Sequence, residues 1–347
     1  MRIYTNGFED GGDRYPGTYL TNVSYIKNGT YSAPWGTARC MKNGGWTSGT
    51  GWRYYYDLVK DMSRTGTGDF SEVYIRFFVC AVSAPDGRVA VLDQANQALA
   101  AISNDGTPYV LGVNQPNIGG APLFSSTFAW TRVDFYIKVA VAGRVIIRID
   151  GLEVYDSGVI DMTVHGATRM SYLGTFKPSR AYGIWWDDVG VNDTQGSENN
   201  SWLPNARIIG LVPTANGSYN QWTPVPGAGE DNYEDVDEVP QDADTSYVEA
   251  AAGGLRDAYT RHSLADLMGV GAYDIYMVTP RTIARLDATG ADTYRVSARK
   301  GVTTQVGPTH SPSTTYDCFG WCMDTAPDGA AWGADTLAAT EFGMDSL

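Results

Sequence analysis

The chain is poor in positive charge. Its 347 residues carry 25 Lys and Arg against 39 Asp and Glu, a formal net charge of −14. Nucleic-acid binding needs concentrated cations to neutralise phosphates, so that class is excluded as the main work of the chain. The same imbalance disfavours docking on anionic lipid. Cysteine is scarce as well: Cys40, Cys80, Cys318 and Cys322 are too few for a disulfide scaffold in a chain of this length. Cys318 and Cys322 form a C-x3-C without a second Cys/His pair at zinc spacing, which reads as buried thiols or one local disulfide. The three histidines, His165, His262 and His310, lie far apart in sequence. Neither H-E-x-x-H, G-x-S-x-G, a phosphate-cradling G-x-x-x-x-G-K-[ST] nor a strand-linked G-x-G-x-x-G occurs. No run of about 18 apolar residues exists, so no transmembrane helix and no membrane insertion are expected. The opening MRIYTNGFEDGG lacks the apolar stretch of a secretory signal.

Glycine and aromatics are abundant instead. Forty glycines, 22 tyrosines and ten tryptophans accompany 43% hydrophobic residues. That is the composition of strands joined by tight turns, with enough apolar mass for a core. Period-two patterning bears this out. Val73, Ile75, Phe77 and Val79 alternate with Tyr74, Arg76, Phe78 and Cys80. Val133, Phe135, Ile137, Val139 and Val141 alternate with Arg132, Asp134, Tyr136, Lys138 and Ala140. Each series predicts a strand with one buried face. Ala142-Gly143 and Asp150-Gly151 read as hairpin turns around Val145, Ile147 and Ile149. Residues 184–191 read as a further strand. No helical stripe competes over this first half.

The texture changes after Val191. Residues 192–206 are polar and turn-rich and read as a linker, followed by a short apolar strand at 207–212. The stretch 213–247 holds Pro213, Pro224, Pro226 and Pro240, and Glu230 to Asp244 is densely acidic without a basic residue. Such a segment is expected to be extended, an assembly arm anchored on a neighbour by Tyr219, Trp222 and Tyr233. Strand patterns return at 273–278, 282–286 and 293–300, and 255–268 reads as a short helix. The expected fold class is all-β: an N-terminal two-sheet jelly-roll sandwich over residues 1–195, a linker and acidic arm over 196–253, and a smaller β-rich assembly domain over 254–347.

Two resemblances add to this. The first is carried by Asn6-Gly7-Phe8-Glu9, Trp130-Thr131-Arg132-Val133, the Ile149-Asp150-Gly151 tip and Trp186-Asp187-Asp188-Val189. In this order they resemble the jelly roll of concanavalin A-like (laminin-G-like) lectins and many carbohydrate-binding modules, over roughly residues 1–195. The resemblance implies a structural calcium shared by Glu9 with Asp187 or Asp188, at an edge where first and last strands meet. The second covers the whole chain. Leu211-Val212-Pro213, Asn216-Gly217, Gln221-Trp222-Thr223-Pro224, the acidic run, Pro327, Trp332 and Glu341-Phe342-Gly343 follow the sandwich in an order similar to tailed-phage virion proteins.

These resemblances imply a non-enzymatic virion structural protein displayed on the particle surface, as a head decoration, head fibre or tail-associated protein. It would be made in the host cytoplasm and localised to the virion. Its expected partners are other virion proteins, copies of itself and a cell-surface glycan. The alternative is a carbohydrate-binding module or lectin of a bacterial glycan-binding system. An enzyme is not expected: the Glu-x-Asp-x-x-Glu strand motif of hydrolases on the concanavalin A-like fold is missing, and Asp187 and Asp188, adjacent on a strand, point to opposite faces. Trp35, Trp46 and Trp52 fall in glycine-rich sequence. They are the expected exposed aromatics for a glycan or a protein interface.

Overall fold

The computed structural model describes residues 70–81, 88–95, 97–117, 130–176, 184–227, 231–238, 244–269, 271–287 and 292–347, together with the strands Arg2–Asn6 (β1), Val23–Tyr25 (β2), Met41–Asn43 (β3) and Trp52–Asp57 (β4). Tertiary contacts divide it into two units, the first ending at Ile208 and the second spanning Ile209–Leu347. Residues 201–206, read as linker, and 207–208, read as the start of a short strand, therefore belong to the first unit.

The first unit continues with β5 (Glu72–Ala81), β6 (Arg88–Asp93), β7 (Ala98–Ser103), β8 (Pro108–Val110) and β9 (Val113–Asn114). It ends with β10 (Thr131–Lys138), β11 (Arg144–Ile149), β12 (Leu152–Asp156), β13 (Met170–Phe176) and β14 (Ile184–Asp193). An eight-stranded sheet runs β12-β11-β10-β5-β14-β3-β2, with β1 also paired to β14, and a six-stranded sheet runs β4-β13-β6-β7-β8-β9. All pairings are antiparallel. One continuous core joins the two sheets. Val73, Ile75, Phe77 and Val79 of β5 and Val133, Phe135 and Ile137 of β10 pack with Val89, Val91 and Ile102 of the opposite sheet, all fully buried. At roughly 1.5–3 kcal/mol for each large apolar side chain buried, this core is the main stabilising term of the sandwich. The alternation read from sequence selects this face, except at Val141, which lies in the turn and is 72% exposed. The Asp150-Gly151 turn has positive φ at both residues, 50° and 84°, as a two-residue hairpin turn of the primed kind requires.

The second unit is also β-rich. It contains β15 (Pro213–Asn220), β16 (Thr223–Val225), β17 (Tyr247–Glu249), β18 (Arg256–Arg261) and β19 (Arg281–Ala284). Then follow β20 (Tyr294–Lys300), β21 (Thr303–His310), β22 (Asp317–Gly320) and β23 (Thr340–Ser346). A five-stranded sheet runs β15-β18-β23-β20-β21, with two separate strand pairs, β16-β17 and β19-β22. Tyr259, Tyr294, Val296, Phe319 and Met344 form one core cluster.

Three local expectations are corrected. Residues 255–268 divide into the strand Arg256–Arg261 and a helix confined to Leu264–Met268, where Ser263 and Asp266 form a capping box. Residues 207–212 and 273–278 are not strands; Val278 makes only an isolated bridge to Met323. The segment from Pro213, expected as an assembly arm anchored on a neighbour, packs on its own unit. Pro213–Asn220 pairs with β18 inside the sheet, and Trp222 and Tyr233 pack against the second unit's own core. Asp257 explains the attachment: its buried carboxylate accepts from the backbone N–H of Gln221 (2.6 Å) and Trp222 (2.9 Å), Asn232 Nδ2 (2.6 Å) and Tyr259 OH (2.8 Å). Asn232 and Asp235 are buried in turn, so part of the acidic run is structural.

Candidate functional site

The outward face of the eight-stranded sheet is built from the residues that alternate with the core. In register across β5, β10, β11 and β12 they form three rows. Glu72, Lys138 and Arg144 make the first, Tyr74, Tyr136, Ile146 and Asp156 the second, and Arg76, Asp134, Arg148 and Glu153 the third. A charged row lies beside an aromatic one.

The third row leaves Glu153 exposed at its far end and is covered at its Arg76–Asp134 end. Residues 201–208 form a strap over it, held by polar contacts along its length. Asn192 Nδ2 donates to Ser201 O (2.8 Å), Arg132 Nη2 to Leu203 O (2.9 Å), and Arg76 Nη1 to Pro204 O. The Ile208 N–H donates to Asp188 Oδ1 (2.7 Å). Beneath the strap Arg76 and Asp134 are buried, and Arg132 Nε lies 2.8 Å from Asp134 Oδ2. Burial pulls the Arg76 pKa down to about 10 against the pull of Asp188, and burial pushes the Asp134 carboxyl up against its hydrogen bond from Arg132. Buried charges need partners: the strap carbonyls accept from Arg76 and Arg132, and Arg132 in turn pairs with Asp134.

The second row is half-open. Trp202 of the strap reaches onto it, with ring centroids 5.1 Å from Tyr74 and 6.4 Å from Tyr136, and Tyr74 and Tyr136 are 4.9 Å apart. All three side chains are only partly buried. The Arg148 guanidinium lies 3.8 Å from the Trp202 ring centroid and makes no hydrogen bond to a described residue. At the rim Tyr136 OH donates to Glu72 Oε1 (2.6 Å), and Lys138 Nζ lies 3.3 Å from Glu72 Oε2. Burial and the Glu72 carboxylate raise the pKa of Tyr136, and burial chiefly raises that of Tyr74, so both phenols stay protonated donors at neutral pH. The platform therefore offers aromatic rings beside hydroxyl, carboxylate, ammonium and guanidinium groups.

The site residues read from sequence fall elsewhere. Glu9, Trp35 and Trp46 lie outside the described residues. Trp52 opens β4 and pairs with Phe176, so it is a strand residue rather than a loop residue. Asp187 and Asp188 are both buried at a register shift in β14, where Asp188 has φ of 49°. Their described neighbours are donors: the Asp188 N–H donates to Asp187 Oδ1 (2.8 Å), the Ile208 N–H to Asp188, and Arg76 supplies positive charge. A calcium ion wants six to eight oxygens. Among the described residues no group of three or more His, Cys, Asp or Glu side chains is placed to hold a metal. Tyr219, expected on the arm, lies between Arg256 and Arg299 of its own sheet, 5.5 and 5.6 Å from its ring centroid. The platform escaped sequence reading because Tyr74, Tyr136 and Arg148 look like the ordinary polar face of a strand, and Trp202 like a linker residue.

No protein-family model matches the chain, and no curated protein matches it in sequence. Solved structures with partial likeness include an endo-β-1,4-glucuronan lyase from the fungus Trichoderma reesei, at 15% identity over 55% of this chain and 95% of that one, with a TM-score of 0.36. A cellulose-induced protein matches at 13% identity over 58% of this chain and 100% of its own, with a TM-score of 0.34. A galectin of Caenorhabditis elegans matches at 12% identity over 37% and 87%, with a TM-score of 0.26. Two expectations change. Neither these structures nor the geometry above supports a phage virion protein. The exclusion of an enzyme does not stand, because a polysaccharide lyase is among the solved structures this chain is similar to.

Proposed function

We propose that the first unit binds carbohydrate on the outward face of its eight-stranded sheet. The observation that carries this is the half-open cluster of Tyr74, Tyr136 and Trp202, with Arg148 beside it making no hydrogen bond to a described residue and the Glu72–Lys138 pair at its rim. Sugar rings present C–H faces that stack on aromatic rings, while their hydroxyls need nearby donors and acceptors. A site of rings alone would suit an apolar ligand; a site of charges alone would suit an ion. Here both line one surface held rigid by a fully packed core. Trp202 and Arg148 form the inner wall and Tyr136, Glu72 and Lys138 the outer one.

The test is affinity electrophoresis of the full chain in gels containing neutral and acidic polysaccharides. At least one polysaccharide is expected to retard the wild type. Tyr136→Phe, which keeps the ring and removes the hydroxyl, is expected to weaken retention several-fold, and Trp202→Ala to abolish it with an intact thermal transition. Retention that is the same in wild type and both folded variants, or absent with every polysaccharide, would remove the reading.

A further inference from the structure

The second unit carries a separate surface with unspent positive charge. On the outward face of its five-stranded sheet Arg256, Asp345 and Arg295 stand opposite one another across β18, β23 and β20. Two strands apart, the arginine Cα atoms are roughly 10 Å from each other, a gap that two arginine side chains can close on one group. Asp345 does not satisfy both. Its Oδ1 accepts from Ser297 Oγ (3.0 Å), its Oδ2 lies 3.5 Å from Arg256 Nε, and its side chain is only 12% exposed. Arg295 makes no hydrogen bond or ion pair with any described residue, and its Nε is buried. Arg256 gives no side-chain hydrogen bond to a described residue and is 45% exposed. Arg299 follows on the same face of β20, paired with Glu341 at 3.4 Å, while Tyr219 holds the Arg256 and Arg299 guanidinium groups at its ring. Three guanidinium groups thus meet two carboxylates on one face of a chain with net charge −14.

A half-buried guanidinium without an acceptor is costly, and a planar fork of donors is matched by a carboxylate or a sulfate. The middle row between the charged ones is small: Ala258, Gly343 and Ser297, all buried. That row is closed over by β15, with Gly217 against Ala258 and Tyr219 reaching Arg256 and Arg299, so an anion approaches the pair from the exposed side of Arg256.

We propose that this face is an oxyanion-binding site, with Arg295 and Arg256 as the fork that takes the anion and with Tyr219 and Asp345 holding Arg256 in place. The anion is a carboxylate or sulfate, borne by an acidic glycan or free in solution. The site is independent of the aromatic platform of the first unit. Isothermal titration of the full chain with sodium sulfate, an oligogalacturonate and neutral cellohexaose tests it. Binding of sulfate and oligogalacturonate alike assigns the free anion as sufficient; binding of oligogalacturonate alone assigns the glycan-borne anion. In either case Arg295→Gln and Arg256→Gln are each expected to weaken binding roughly tenfold or more, as lost charged hydrogen bonds do. Arg256→Lys should retain part of the affinity but lose more of it with added salt. If Arg295→Gln does not fold, the exposed Arg256→Gln carries the test alone. Absence of binding by either anion, or affinity unchanged in the folded variants, overturns the proposal.

Discussion

Gly143 shows how one residue fixes the hairpin that carries the platform. A Cβ there would lie 2.5 Å from Lys138 O, 2.5 Å from Met162 Cγ and 2.8 Å from Ala140 O. Two of those atoms are backbone, which cannot step aside. Gly143→Ala is expected to cost about 2–3 kcal/mol in urea denaturation, within the range for forced overpacking. Gly158 is the contrast: its φ is 62° but nothing stands within 4 Å of its Cβ position. Gly158→Ala should cost about 1 kcal/mol, from backbone conformation alone. Equal losses at the two positions would contradict this account of the hairpin. Asp156 on the neighbouring strand makes a pH-dependent contact. Its pairing with Arg144 holds its carboxyl below the ordinary carboxylate range. A depressed folded pKa contributes stability above the unfolded value, near pH 4, and that contribution fades as pH falls through the folded value. The protection factor of the Ser157 amide, whose N–H donates to Val145 O (2.9 Å), should therefore fall on acidification in the wild type and less so in Arg144→Gln. The same pH response in both proteins would exclude the ion pair as its cause.

The strap over residues 201–208 is the element that sequence reading missed. Polar, small and turn-rich residues signal exposed chain, yet here backbone carbonyls and N–H groups of such a segment satisfy buried charges on the sheet. That pairing is long-range: Arg132 and Leu203 are 71 residues apart, so no local pattern announces it. The acidic stretch after Pro213 failed to show its fold for the same reason, since its anchor, the Asp257 carboxylate, lies on another strand. Where core-facing aliphatic and aromatic residues recur at every second position, as in Val73 to Val79 or Val133 to Ile137, the strand and its core-facing side were legible, but the burial of Arg76, Phe78 and Asp134 on the other face was not. The partners across the sheet were not. Asp188 offers a direct check on the strap. Its φ of 49° suits glycine, so Asp188→Gly removes the acceptor of the Ile208 N–H with little backbone strain. The Ile208 amide is expected to be protected from exchange in the wild type and to exchange at least tenfold faster in the variant. Unchanged protection would mean that the strap is held without this contact.

At the scale of the whole molecule, two β-rich units carry two kinds of polar surface. The first sets aromatic rings beside hydrogen-bonding groups on a sandwich; the second sets arginines beside a tyrosine and two carboxylates on one face of a sheet. Composition alone conveyed the class: few charges, many glycines and aromatics, and almost no helical period. It could not convey which rings are core and which are surface, because Phe77 and Tyr74 sit three residues apart on opposite faces of one strand. The central claim is that Tyr74, Tyr136, Trp202 and Arg148 form a carbohydrate platform. Its most direct test is NMR titration of the isotopically labelled full chain with the polysaccharide fragment that retards it in affinity electrophoresis, following the Trp202 indole N–H, the Arg148 side chain and the Tyr74 and Tyr136 ring signals. The account predicts that these signals shift together along one binding curve while core signals such as Phe77 stay put. Saturable binding that leaves all four unmoved would contradict it.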